Sequence, residues 1–95
     1  MRVIANRRLL EFAAVHADAG EPLQEWRKVM ECGSYANFAD LRLTFRGVDK
    51  VDELHVFNIA GNKYRLIAFV HFGRQLCYIK NVLTHVEYDK GAWKK

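Results

Sequence analysis

Residues 55–83 read HVFNIAGNKYRLIAFVHFGRQLCYIKNVL, and three runs within them are rich in β-branched and aromatic residues: His55 to Ile59, Lys63 to Phe72 and Gln75 to Leu83. Gly61-Asn62 and Gly73-Arg74 separate them. Both breaks put glycine first, which suits a two-residue type II′ hairpin, because that corner needs a positive φ that glycine enters without steric cost. The spacing predicts an antiparallel meander. Counted outward from each turn, the register sets Asn58 opposite Arg65, Arg65 opposite Val82 and Ile67 opposite Lys80.

This register sorts the strands into two faces. Phe57, Ile59, Leu66, Ala68, Val70, Phe72, Cys77, Ile79 and Leu83 make one apolar face, to be covered by helices. Burying each large side chain there stabilises the fold by about 1.5–3 kcal/mol before entropy, so these residues need no functional explanation. Asn58, Arg65 and Lys80 fall on the other face, with Phe69 and Tyr78 nearby.

Upstream the period changes to that of helices. Arg2-Val3-Ile4 is a short apolar start, and Asn6 suits the N-cap of a helix over about residues 6 to 17 with Leu9, Leu10, Phe12, Ala13 and His16 at helical spacing. Gly20 breaks the chain. Pro22 then opens a second amphipathic helix carrying Leu23, Trp26, Val29 and Met30 as far as Gly33, and Asn37 caps a shorter third one with Phe38, Leu41 and Phe45. Asp49 to Glu53 reads as a polar loop. After the last strand, Thr84 and Glu87 form a T-x-x-E capping box, which predicts a short C-terminal helix from His85. The class is α+β: a short N-terminal strand and two to three helices on one face of a curved antiparallel β-meander, then a short helix.

The 95 residues, 51% of them hydrophobic, are enough for one core and one domain, residues 1–95. No run approaches the length of a membrane span, and residues 1–8 lack the apolar stretch of a signal peptide, so a cytoplasmic protein without membrane contact is expected. Cys32 and Cys77 stand apart with no ligand spacing around them, as buried thiols would. Residues 1–54 hold 8 Lys and Arg against 9 Asp and Glu, whereas residues 55–95 hold 7 against 2. That imbalance points to an anionic partner on the C-terminal half, an RNA, a DNA or an acidic protein.

Arg65 is the residue that packing does not explain. A guanidinium keeps its proton in any protein environment, so placing one in an otherwise apolar strand prepares a site for an anion. Asn58, Lys63, Lys80 and Lys90 add donors, and Phe69 and Tyr78 add rings on which bases could stack, the combination that single-stranded RNA needs. His85 and Tyr88, three apart, project on one side of the C-terminal helix, close to the sheet end that bears Arg65. Imidazole titrates near neutrality and serves as a general acid or base, and a phenol can orient or protonate an oxygen. His16, His55 and His71 are read as structural. Trp93 serves either as an exposed partner contact or as an aromatic tail packed on its own domain. No helix gathers basic residues as a DNA-recognition helix would.

The stretch Val56-Phe57-Asn58-Ile59-Ala60-Gly61-Asn62-Lys63-Tyr64-Arg65-Leu66, with Tyr78-Ile79 and Val82-Leu83-Thr84-His85-Val86-Glu87-Tyr88-Asp89-Lys90, resembles the HigB toxins of bacterial toxin-antitoxin systems, within the RelE-like group. The similarity extends to Val3-Ile4 and Asn37-Phe38-Ala39-Asp40. It implies an mRNA endoribonuclease that acts on translated messages, usually on the ribosome, and is silenced by a HigA-like antitoxin, a small helix-turn-helix protein. By the same resemblance Arg65 matches the arginine that contacts the scissile phosphate and Tyr88 the C-terminal tyrosine of related toxins. Ala60 departs from the glycine common in similar toxins. The expected chemistry is attack of the ribose 2′-hydroxyl on the adjacent phosphate, with Arg65, His85 and Tyr88 as catalytic residues, Asn58, Lys63, Lys80 and Lys90 as RNA-binding residues, and no metal or cofactor. The competing expectation is a non-catalytic RNA- or ribosome-binding domain that inhibits translation without scission.

Overall fold

The computed structural model describes residues 1–94. β1 (Arg2–Ile4) leads into α1 (Asn6–Val15), and a 3-10 turn at Ala17–Ala19 connects it to α2 (Gly20–Cys32) and α3 (Phe38–Thr44). Then come β2 (Asp49–Val51), β3 (Leu54–Ile59), β4 (Tyr64–His71), β5 (Leu76–Thr84), α4 (His85–Lys90) and a closing 3-10 turn at Ala92–Lys94. The five strands form one sheet in the order β1-β5-β4-β3-β2, antiparallel except for the parallel β1–β5 pair. Among the described residues no helix is long and apolar enough to cross a membrane.

The α+β class and the meander stand, with local differences. Asn6 is not a cap: Ala5 holds the capping position in the left-handed region (φ 76), and Asn6 enters the helix, where its Oδ1 accepts a hydrogen bond from Gln24 Nε2 at 3.4 Å. Gly20 does not separate two helices but starts α2 in ordinary helical geometry (φ −57), because the preceding 3-10 turn has already redirected the chain. Asn37 caps α3 as its composition predicts, accepting from Asp40 N at 2.9 Å. The polar run at Asp49 to Glu53 is in part a strand. Asp49, Lys50 and Val51 pair with Val56, His55 and Leu54, so the edge of β3 is occupied despite the unfavourable local composition.

The helices cover the inner face of the sheet, where Leu9, Leu23, Met30 and Leu41 pack against Phe57, Leu66, Ala68, Cys77 and Ile79. Leu83 departs from this set. It packs on the other face, with Val56, Ile67, Trp93 and Tyr88, in a second small core formed when the chain folds back after α4. Trp93 is 6% exposed and therefore belongs to the packed-tail alternative. The outer face is thus covered at one end and open at the other, where the cross-strand neighbours Phe69 and Tyr78 are 38% and 41% exposed.

The cause of Leu83's placement is a β-bulge. Near the β4–β5 turn the register runs as counted, with Val70 opposite Cys77 and Ala68 opposite Ile79. Between Ala68 and Ile67 it slips by one. Ile67 then faces Asn81 rather than Lys80, and Arg65 faces Leu83 rather than Val82. Lys80 is the extra residue, and every side chain beyond it changes face. The turn differs as well: Gly73 is not left-handed, and Gln75 takes that role with φ 54, its N–H bonded to Phe72 O at 3.2 Å. The β3–β4 turn keeps its expected register, with Gly61 at φ 69 and Asn58 opposite Arg65.

Candidate active site

The end of the sheet where β4 begins and β5 finishes gathers the candidate groups. Arg65 is the second residue of β4, and its position is set from three directions. Its Nη1 donates to Asn62 O at 2.9 Å and to Tyr64 O at 3.3 Å, which draws the guanidinium toward the β3–β4 turn. Its Cζ lies 5.3 Å from the centroid of the Tyr88 ring, within the range of a cation-π contact. Arg65 is partly exposed and makes no ion pair with a carboxylate among the described residues. Its charge is therefore available to an anion from solution.

Tyr88 is brought there by α4, and α4 starts where it does because of its cap. Thr84 Oγ1 accepts from Glu87 N at 3.2 Å while Glu87 Oε1 accepts from Thr84 N at 3.0 Å, the reciprocal pair that the sequence predicts. The Thr84 N–H, as the main cause, holds the Glu87 carboxyl below the usual carboxylate range, so the cap stays ionised and intact. At the other end Gly91 adopts φ 73, the left-handed residue that closes many helices, and the chain returns to lay Trp93 on Tyr88. The two rings stack at 5.1 Å and 13°, and Trp93 Nε1 donates to Tyr88 O at 2.9 Å. Tyr88 is thus held between an indole and a guanidinium.

His85 lies one helical turn before Tyr88. Its recorded partner is Asp89, with Nδ1 3.5 Å from Oδ2 and both side chains more than half exposed. No contact joins His85 to Arg65; the structure brings Arg65 and Tyr88 together and leaves the imidazole on the neighbouring turn, open to solvent.

The four candidate RNA contacts are dispersed. Asn58 stands beside Arg65 in the sheet, between it and Gly47, where a Cβ would come within 2.6 Å of Asn58 Nδ2. Lys80, displaced by the bulge, donates from Nζ to Trp93 O at 3.1 Å. Lys90 ends α4 and is exposed. Lys63 is paired with Asp18, whose other oxygen accepts the Tyr64 O–H at 2.6 Å. Asp18 escapes sequence reasoning because it lies 45 residues from Lys63, in a stretch with no motif. The hydrogen bond from Lys63, followed by that from Tyr64, lowers the Asp18 carboxyl below its ordinary range, and the Lys63 ammonium and Tyr64 phenol are raised in return. His16, stacked on Phe12 at 4.4 Å and 5.4 Å from the Tyr64 ring, completes this cluster on the helix side.

His55 is buried at 2% exposure between Phe38 and Phe72, each 5.7 Å away. Burial, and then the Lys50 charge across the strand pair, lowers its pKa, so it is a neutral core residue in keeping with its structural reading. Cys77 is fully buried and its thiol is pushed up to about 12 by desolvation, while Cys32 is exposed rather than buried as expected, because it falls on the solvent side of the last turn of α2.

A cation, a phenol and an imidazole at one sheet end suit a phosphodiester, and comparison with known proteins agrees. The family of HigB toxins, described as the RelE-like toxic component of a toxin-antitoxin system, matches residues 19–91. The chain belongs to this HigB toxin family. Among its relatives is the mRNA interferase toxin HigB of Escherichia coli K12, 32% identical over 92 residues that span 94% of this chain and 88% of the relative. The mRNA interferase HigB of Shigella flexneri is similar to the same extent, and one from Escherichia coli O6:H1 is 24% identical over 93 residues. As the toxic half of a two-component system, a HigB toxin has an antitoxin for a partner. The matched region contains Arg65, His85 and Tyr88.

Proposed function

We propose that this HigB toxin is an mRNA endoribonuclease that cleaves by internal transfer. The ribose 2′-hydroxyl attacks the adjacent phosphorus, the bond from phosphorus to the 5′ oxygen of the next nucleotide breaks, and the products are a 2′,3′-cyclic phosphate and a 5′-hydroxyl. His85, with Asp89 beside it, takes the 2′-hydroxyl proton, and Tyr88 delivers a proton to the departing 5′ oxygen. Arg65 holds the equatorial phosphate oxygens, on which negative charge accumulates in the transition state. Asn58, Lys80 and Lys90 hold neighbouring phosphates. Lys63 joins them once RNA competes with Asp18 for its ammonium. The relatives' names supply the substrate class, and one observation carries the mechanism: an arginine with no carboxylate partner among the described residues, set over the tyrosine of the capped helix.

The messages cut are those under translation, with the ribosome presenting the strand in the cytoplasm, and a HigA-like helix-turn-helix antitoxin silences the enzyme. Mapping the 5′ ends of transcripts after brief induction tests the reading. New ends inside coding regions are expected, and Arg65→Ala, shown to be folded, should lower the cleavage rate by roughly 10²–10³. Unchanged transcripts during growth arrest would replace the nuclease with a binding inhibitor.

A further inference from the structure

Two ring contacts away from Arg65 lies an open pocket that the cleavage step itself does not use. From the guanidinium the path runs to Tyr88 and then to Trp93, which forms one wall. The pocket has a volume of ≈ 450 Å³ and is lined by Lys80, Asn81, Leu83, Glu87, Lys90 and Trp93. That volume falls within the range of small-ligand sites. Leu83 is the cross-strand partner of Arg65, so the cavity begins one strand from the residue assigned to the phosphate.

Besides the Glu87 carboxylate, whose Oε1 is held by the Thr84 N–H, its lining combines three kinds of group. Leu83 and Trp93 supply the apolar and aromatic surface on which a flat ring is desolvated. Lys80 and Lys90 supply positive charge, and among the described residues the Lys80 ammonium is engaged by Trp93 O alone. Asn81 supplies an amide with a donor and an acceptor side by side, and this amide makes no hydrogen bond among the described residues. The bulge at Lys80 is what sets it there: in an unbroken register Lys80 would face Ile67 and Asn81 would turn to the inner face, whereas the slip puts Asn81 opposite Ile67.

We infer that this pocket receives a single unstacked RNA base next to the scissile phosphate, with Asn81 reading the base edge and Lys80 and Lys90 holding its flanking phosphate. Bases in single strands expose their Watson–Crick and Hoogsteen edges, and an asparagine amide pairs with such an edge in two hydrogen bonds. The phosphates carry the charge that the two ammonium groups complement. A docked protein segment would need neither the amide nor a choice among bases. The inference rests on the ribonuclease reading and assigns sequence preference to a place in that same site.

Two measurements test it. Adenosine, guanosine, cytidine and uridine monophosphates are titrated singly into the folded protein while Trp93 fluorescence is followed, with Trp93→Phe to identify the signal. One nucleotide should bind most tightly, and Asn81→Ala should reduce its advantage over the others by about tenfold, the cost of a lost bidentate edge contact. Transcript ends are then mapped for the wild type and Asn81→Ala. The same base should be enriched at one position beside the wild-type cut, and that enrichment should fall in the variant. If the wild type cuts with no base preference beside the break, or if Asn81→Ala leaves both the nucleotide ranking and the preference intact, the pocket assignment is overturned while the nuclease stands. If the wild type makes no cuts, the nuclease reading fails and takes the pocket with it.

Discussion

At the scale of single residues, Arg65 and Tyr88 act as a pair. The ring beneath the guanidinium limits the positions the cation can take, and the Asn62 and Tyr64 carbonyls limit them further, so the charge is oriented before RNA arrives. A preoriented donor contributes more in the transition state than one that must be gathered from solvent. Tyr88 has two separable parts: the ring supports Arg65 and stacks on Trp93, and the hydroxyl is assigned a proton. Tyr88→Phe keeps the first and removes the second. Its cleavage rate, measured on a defined RNA or by the yield of mapped ends, should fall by about 10²-fold, the lower end of acid–base contributions, while RNA binding changes little. Loss of binding with an unchanged rate per bound complex would assign Tyr88 to holding alone. Arg65 as a candidate site residue is legible in the sequence, because a charge in an apolar strand has few structural uses. Its partner is less so: pairing Arg65 with Tyr88 depends on where α4 begins, and the capping box alone conveys that.

At the scale of elements, the β3–β4 turn sets the geometry next to Arg65. Ala60 occupies the left-handed region at φ 53, followed by Gly61 at φ 69. An L-residue with a Cβ pays a steric cost in that region that glycine does not. Ala60→Gly should therefore raise stability by roughly 0.5–1 kcal/mol, the steric relief less the added chain entropy of glycine, measured as the midpoint of denaturant unfolding. A lower midpoint would mean that the strain at Ala60 is compensated by contacts of its methyl group. The bulge in β5 is the opposite kind of feature. Val82, Leu83 and Thr84 continue the β-rich run after Asn81, and no glycine or proline marks Lys80 as the insertion. Only the closing of the second core decides it, because Leu83 packs, partly buried, against Ile67 and Trp93 when the register slips.

At the scale of the whole molecule, the two faces of the sheet have different owners. The inner face belongs to the N-terminal helices, and the outer face belongs at one end to the C-terminal turn and at the other to solvent. The inner core contains a titratable group whose state is linked to folding. His55 is buried, its nitrogens have no hydrogen-bond partners among the described residues, and Lys50 opposes it across the strand pair. Its folded pKa lies below the unfolded value of about 6.5, so the unfolded chain binds the proton first. Stability is therefore full above that value and declines as the pH falls through it toward the lowered folded pKa. Thermal unfolding of the wild type should move to lower temperature between about pH 7 and pH 5, and His55→Leu should flatten that dependence. A variant with the wild-type slope would place the acid sensitivity elsewhere.

The identities of α1–α4 and of β1, β3, β4 and β5, the inner core positions before the bulge, the Asn58–Arg65 pairing and the caps of α3 and α4 depend on residues within a few positions of one another. Local periodicity, turn chemistry and capping determine them, so the sequence alone specifies them. The parallel β1–β5 pair and the Asp18–Lys63–Tyr64 cluster join segments distant along the chain, and the strand at Asp49–Val51, the Lys80 bulge and the return of Trp93 over Tyr88 form in stretches whose turn and strand signals do not announce them. Each is chosen by how much apolar surface is buried and which charges find partners once the sheet has formed. No local pattern encodes those energies, and only the tertiary structure decides them.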